Sequence, residues 1–145
     1  MKISAKGRYA LMMLVDLAEH WNSGYISLKE ISERQNISKK YLEQIIPILH
    51  RSDILRTNRG SQGGYMLARD PSRYTVGDIL RLTEGSLSTV EYDDPSYSDS
   101  DSAASGVMIP VWQGLSRVIN EYLDGITLQD LADRQRQLYA NDYII

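Results

Sequence analysis

The 145-residue sequence contains no cysteine. Disulfides, thiolate metal ligands, cysteine nucleophiles and cysteine redox switching are therefore excluded. Histidine is almost as scarce. Only His20 and His50 occur, isolated from each other, which leaves no histidine cage for a metal within one chain. Long apolar runs are missing too. The longest, Ala10 to Val15, is closed by Asp16 and falls far short of the roughly 20 residues that a spanning helix needs. Lys2, Lys6 and Arg8 precede that run in the manner of a signal peptide, but the run is too short and no small-residue cleavage site follows. No Ser-His-Asp grouping, carboxylate pair or metal motif marks an enzyme. The expectation is a cytoplasmic, non-enzymatic protein with no cofactor and no membrane contact.

What is present is an ordinary globular composition, 42% hydrophobic and 24% charged, on a length that suits one compact domain with an extension or two small lobes. Its charge is unevenly placed. Residues 1–85 carry 13 Lys and Arg against 9 Asp and Glu, whereas residues 86–145 carry 3 against 10. The first part can meet a polyanion and the second cannot, which by itself is a weak pointer to nucleic acid.

One local pattern recurs four times: an apolar residue, then Ser or Thr, then a helical stretch. Ile26-Ser27 precedes Glu30, Ile37-Ser38 precedes Leu42, Tyr74-Thr75 precedes Asp78, and Ile126-Thr127 precedes Asp130. The hydroxyl accepts from an orphan N–H of the first turn, and an acid three residues on reaches back to the cap. These sites predict four helix starts. A fifth helix begins near Ser4 or Lys6 and runs to about His20, with Leu11, Leu14, Leu17, Ala18 and Trp21 on one face. A sixth is predicted to start at Pro110, where a missing N–H costs nothing. Two extended runs, Ile54 to Arg59 and Tyr65 to Ala68, flank a glycine-rich turn and predict a β-hairpin. Residues 91–105, rich in Ser and Asp, read as a loop.

The fold class expected is mainly α with a small β-hairpin: a winged helix-turn-helix over 1–85, an acidic loop over 86–106, and a long dimerisation helix with a C-terminal tail over 107–145. A small α+β domain without a DNA role is the alternative. Gln35-Asn36-Ile37 is the predicted turn, and Ser38 caps the second helix of the motif. The N-terminal part of that helix enters the major groove in such motifs. With Leu42, Ile45 and Ile46 turned inward, Lys39, Lys40, Tyr41, Glu43 and Gln44 remain for DNA. Gln can bond adenine twice, Glu can accept from a cytosine amino group, and Lys and Tyr suit phosphates. Pro47 is expected to bend or stop this helix beyond its first two turns. Exposed Lys, Glu and Gln on a capped helix also describe an ordinary surface. The hairpin tip, Arg59-Gly60-Ser61-Gln62, could lay an arginine in a minor groove or be a plain surface turn. Lys2, Lys6, Arg8 and Tyr9 crowd the start of the first helix, where the dipole prefers acids, so either an anion such as a phosphate sits nearby or the terminus is frayed.

The opening Met-Lys-Ile-Ser-Ala-Lys-Gly-Arg-Tyr-Ala-Leu, Ser-Leu-Lys-Glu-Ile at 27–31, Tyr41-Leu42-Glu43-Gln44, Arg59-Gly60 with Gly63-Gly64-Tyr65, and Thr75-Val76-Gly77-Asp78-Ile79 resemble the Rrf2 family of dimeric winged-helix regulators. The resemblance implies an operator-binding repressor that binds double-stranded DNA as a homodimer. It also implies roles at or near DNA for Lys6, Arg8, Tyr9, Ser38, Tyr41, Glu43, Gln44 and Arg59. Cluster-binding members carry three cysteines where this chain has Tyr92 to Gly106, so a thiolate-held iron–sulfur cluster is excluded. Asp93, Asp94, Asp99 and Asp101 do not have EF-hand spacing and read as a solvated acidic loop. The cysteine-free layout looks closest to the cysteine-metabolism repressor (CymR-like) subgroup, whose members act in complex with cysteine synthase. The end of this chain, Tyr143, Ile144 and Ile145, resembles the C-terminal isoleucine by which serine acetyltransferase occupies cysteine synthase. It is therefore either a partner contact or a tail packed on its own dimer. The apolar stripe after Pro110, with Trp112, Leu115, Val118, Ile119 and Tyr122, is expected to bury against a two-fold mate.

Overall fold

In a computed structural model, residues 1–90 and 103–142 are described, with the side chains of the later segment given from 106. The elements are α1 (Ala5–Glu19), α2 (Leu28–Gln35), α3 (Lys39–Arg51), β1 (Leu55–Asn58), β2 (Gly64–Leu67), α4 (Val76–Glu84), α5 (Ala103–Asp124) and α6 (Leu128–Asp142). The acidic stretch with Asp93, Asp94, Asp99 and Asp101, and the terminal Tyr143, Ile144 and Ile145, lie outside the described residues.

All four predicted hydroxyl caps form. Ser27, Ser38, Thr75 and Thr127 each accept from the backbone N–H three residues on. Asp78 and Asp130 return the bond to the N–H of Thr75 and Thr127. A fifth cap, Ser4, starts α1 by accepting from Gly7. Each such cap stabilises its helix by about 1 kcal/mol.

α1 is the central element, packed against α2, α3, α4, α6 and β2. Its buried residues are Ala10, Met13, Leu14, Leu17 and Ala18, while Leu11 and Trp21 are half-buried at the edges of the expected face. They join Leu42, Ile45 and Leu49 of α3, Leu67 of β2, and Ile79 of α4 in one core. Leu128 and Ala132 of α6 belong to the same core and are fully buried. The C-terminal helix is therefore knitted to the first helix. Val76 N–H donates to Ile126 C=O and Leu128 N–H to Tyr74 C=O, so the chain returns alongside the cap of α4.

α5 starts at Ala103, seven residues before the predicted start, and carries Pro110 inside it. Pro110 and Gly106 are exposed, so the Gly106 carbonyl that loses its N–H donor is at the surface. One side of α5 is held to its own chain. Thr89 N–H donates to Ser116 Oγ (3.0 Å), Thr89 Oγ1 to the Trp112 carbonyl (3.1 Å), and Arg81 donates to both Asn120 and Asp124. The Arg81 guanidinium holds the Asp124 carboxyl below its ordinary range. On the other side Met108, Val111, Leu115, Val118 and Tyr122 are exposed, Val118 and Tyr122 at 57% and 68%. Of the five residues expected to pair with a mate, Leu115, Val118 and Tyr122 lie on this exposed stripe. Trp112 and Ile119 are half-buried.

Candidate nucleic-acid interface

Asn36 ends α2 in the left-handed conformation (φ 53°, ψ 44°), which asparagine tolerates better than most residues. Ile37 N–H donates to the Ser32 carbonyl, and the Ser32 hydroxyl donates to the Ile37 carbonyl at 2.6 Å, closing the turn from both sides. Ile37 plugs the core at 4% exposure. A buried clamp fixes the same corner. Asp16 of α1 accepts from Arg34 Nε and Nη2 at 2.9 and 2.8 Å and from Gln35 Nε2 at 3.0 Å. Its carboxylate raises the Arg34 guanidinium above its ordinary value. The last two residues of α2 are thereby tied to the central helix.

From that corner α3 leaves with Leu42, Ile45, Ile46 and Leu49 buried and Lys39, Lys40, Glu43 and Gln44 exposed. Ser38 is exposed at the start, its hydroxyl oxygen engaged by the Tyr41 N–H. Pro47 does not stop α3, which runs to Arg51. Pro47 lies on the exposed face, and so does Glu43, whose carbonyl loses its donor there. Tyr41 is half-buried rather than free. Its ring meets Tyr9 edge-on, with centroids 5.0 Å apart and planes at 88°. The Arg8 guanidinium carbon is 5.9 Å from the Tyr9 ring centre. The start of α1 is thus brought beside the start of α3, and Lys6 and Arg8 are exposed there.

The protein places a carboxylate of its own at the start of α1. Glu84, at the end of α4, accepts from Ser4 N–H at 2.6 Å and from the Ser4 hydroxyl at 2.7 Å. A carboxylate at that end answers the helix dipole. Gly7 leaves room for this contact, because a Cβ there would push on the Glu84 carboxylate and the Thr83 hydroxyl.

The wing is β1 and β2 paired antiparallel, Leu55 with Leu67 through Asn58 with Gly64. It is anchored by a reciprocal bridge between Tyr65 and Ile26, the residue before the α2 cap (2.9 and 2.8 Å). Gly64 permits that approach, since a Cβ would run into the Ile26 carbonyl. The tip residues Arg59, Gly60, Ser61 and Gln62 are all exposed, and Gly60 has φ 128°. Residues that the sequence did not assign to DNA extend this surface. Pro47, His50 and Arg51 continue the exposed stripe of α3 beyond Gln44, and Arg56 and Thr57 of β1 are exposed beside them. The helical spacing 40, 43, 44, 47, 50, 51 is the signal that contains His50.

The Rrf2 family model, described as "Iron-dependent Transcriptional regulator", matches residues 3–134. The chain belongs to the Rrf2 family. The HTH-type transcriptional regulator CymR of Bacillus subtilis (strain 168) is 37% identical to this Rrf2 member over 142 residues, 96% of this chain and 97% of that protein. The solved structure of CymR (YrzC), described as the global cysteine regulator of B. subtilis, superposes with a TM-score of 0.80. It is 36% identical and covers 92% of this chain and 98% of that one. T. potens IscR superposes with a TM-score of 0.73 at 38% identity, covering 93% and 88%. This Rrf2 member is therefore a winged-helix transcriptional regulator. The iron dependence in the family description does not fit its donor set. The full sequence has no cysteine to supply thiolates, and no group of three or more His, Asp or Glu able to hold a metal occurs among the described residues.

Proposed function

We propose that this Rrf2 regulator is a repressor that binds an inverted-repeat operator as a homodimer, in the control of cysteine and sulfur metabolism. One observation carries the reading. The exposed stripe of α3 runs from Lys39, Lys40, Glu43 and Gln44 to His50, and His50 lines one cleft with Arg59 of the glycine-tipped wing. α3 lies in the major groove. There Gln44 suits an adenine edge, and Glu43 discriminates by accepting from a cytosine amino group. Lys39, Lys40 and the hydroxyl of Ser38 meet phosphates, as do Lys6, Arg8, Tyr9 and Tyr41 from the flank where α1 begins. Arg59 enters the adjacent minor groove, with Gly60, Ser61 and Gln62 against the backbone.

In the proposed division of labour, residues 1–85 read DNA and α5 pairs with its mate. Two reading heads then stand about 34 Å apart, one turn of DNA. The kinship with CymR supports the metabolic assignment.

Selection of bound genomic fragments, followed by titration against salt, tests the reading. Affinity is expected to fall steeply as salt rises. Gln44→Ala is expected to cost about 1–3 kcal/mol and to relax preference at one base position. Binding that ignores both salt and sequence overturns the reading. The resemblance to CymR also makes cysteine synthase the candidate protein partner, through Tyr143, Ile144 and Ile145. Deleting these three residues is expected to abolish its capture while leaving operator binding intact, and unchanged capture overturns the contact.

A further inference from the structure

We propose that the cleft between α3 and the wing is a phosphodiester site for the operator strand, and that protonation of His50 tightens it. The proposal rests on the reading just given, with α3 in the major groove and the wing in the neighbouring minor groove. Adjacent grooves of a duplex are separated by one sugar–phosphate backbone, so that strand must pass between the two elements.

The structure has a cleft of about 390 Å³ at this place. Ile46 and Tyr65 line its inner part; His50 of α3 faces Thr57, Asn58 and Arg59 of the wing across it. His50 Nε2 lies within hydrogen-bond distance of Thr57 Oγ1, so the end of the reading helix and β1 are joined at its rim. The groups available there suit a phosphate: an imidazole, a hydroxyl, an amide and a guanidinium. None of the lining residues is an acid. The charged groups around His50 are Arg51 on α3, Asp53 just past its end, whose N–H bonds the His50 carbonyl and whose carboxylate pairs with Arg69, Arg56 on β1, and Arg59 at the turn. Tyr65 is the titratable group from β2, and α2 contributes only Leu28. Glu43 stands two turns away, about 10 Å along the helix axis. A positive charge on His50 therefore finds its counter-charge in the bound strand.

Neutral imidazole offers one N–H, whereas the imidazolium offers two. With both, His50 keeps Thr57 on one nitrogen and donates a charge-assisted bond to a phosphate oxygen from the other. Operator affinity consequently rises as the pH falls from 8 to 6.

Fluorescence anisotropy with the selected operator at pH 6 and pH 8, over a series of salt concentrations, tests this. Wild type is expected to bind on the order of fivefold tighter per half-site at pH 6. Its salt slope there is expected to be steeper than at pH 8 by roughly one per half-site. His50→Gln keeps a hydrogen-bonding side chain for Thr57 and is expected to bind at both pH values as wild type does at pH 8. A methylphosphonate at the phosphate between the major- and minor-groove contacts is expected to erase the pH effect in wild type. A His50→Gln protein that retains the wild-type pH difference overturns the cleft proposal while leaving the regulator reading intact. Wild type that binds no operator at either pH overturns both.

Discussion

Placing aspartate at both Leu115 and Val118 is expected to turn the proposed dimer into a monomer at micromolar concentration and to weaken operator binding by on the order of a hundredfold or more. The size follows from linkage. Once one half-site is held, the second head binds from an effective concentration that the dimer supplies, and a monomer forfeits that gain. The position follows from the stripe. Met108, Val111, Leu115, Val118 and Tyr122 recur at alternating three- and four-residue steps, the spacing of a helix seam that pairs with another helix. They are exposed in the single chain. Four carboxylates brought together at a two-fold axis oppose association, and the apolar area that drives it is reduced. The chain itself keeps its fold, because the bonds of α5 to Thr89 and Arg81 lie on the opposite face. Sedimentation and operator titration of the same sample check both halves. A variant that remains dimeric with unchanged affinity refutes the seam.

Arg34→Leu is expected to destabilise the fold by about 3–5 kcal/mol, and Asp16→Asn by only about 1–3 kcal/mol. The asymmetry comes from burial. The Asp16 side chain is 2% exposed and the Arg34 side chain 36%. Removing arginine leaves a carboxylate inside the core with only the Gln35 amide and, 3.8 Å away, the His20 imidazole to answer it. Removing the charge on Asp16 leaves an amide oxygen that still accepts, and an arginine that can turn to water. Urea unfolding at neutral pH, with the m value held as a check on two-state behaviour, measures both. Equal losses, or a larger loss for Asp16→Asn, would show that the clamp is a surface pair.

Much of the proposed reading surface is legible in the sequence because its determinants are local. Asn36 sits where a left-handed residue is needed, and Ser38 caps the helix after it. The run from Lys39 to Gln44 sorts into buried and exposed positions by helical period alone, and the turn glycines mark the wing. The departures from expectation share one cause, the placement of residues relative to the surface. Proline ordinarily ends or begins a helix, yet at both 47 and 110 the freed carbonyl belongs to an exposed residue, so the helix continues through. The carboxylate that answers the start of α1 is Glu84, eighty residues away in sequence, and only the fold brings it beside Ser4. Asp16 shows in the sequence only as an interruption of an apolar run, although a lone acid at a buried helical position already implies a cation to pair with.

Caps, turns and amphipathic faces are set by the sequence itself, since each needs only residues three or four apart. Which distant segments meet is decided by the packed chain alone. The return of α6 onto α1, the Asp16–Arg34 clamp and the Tyr9–Tyr41 contact all depend on how helices cross around α1. Periodicity tells a helix which side to bury, but not what to bury it against.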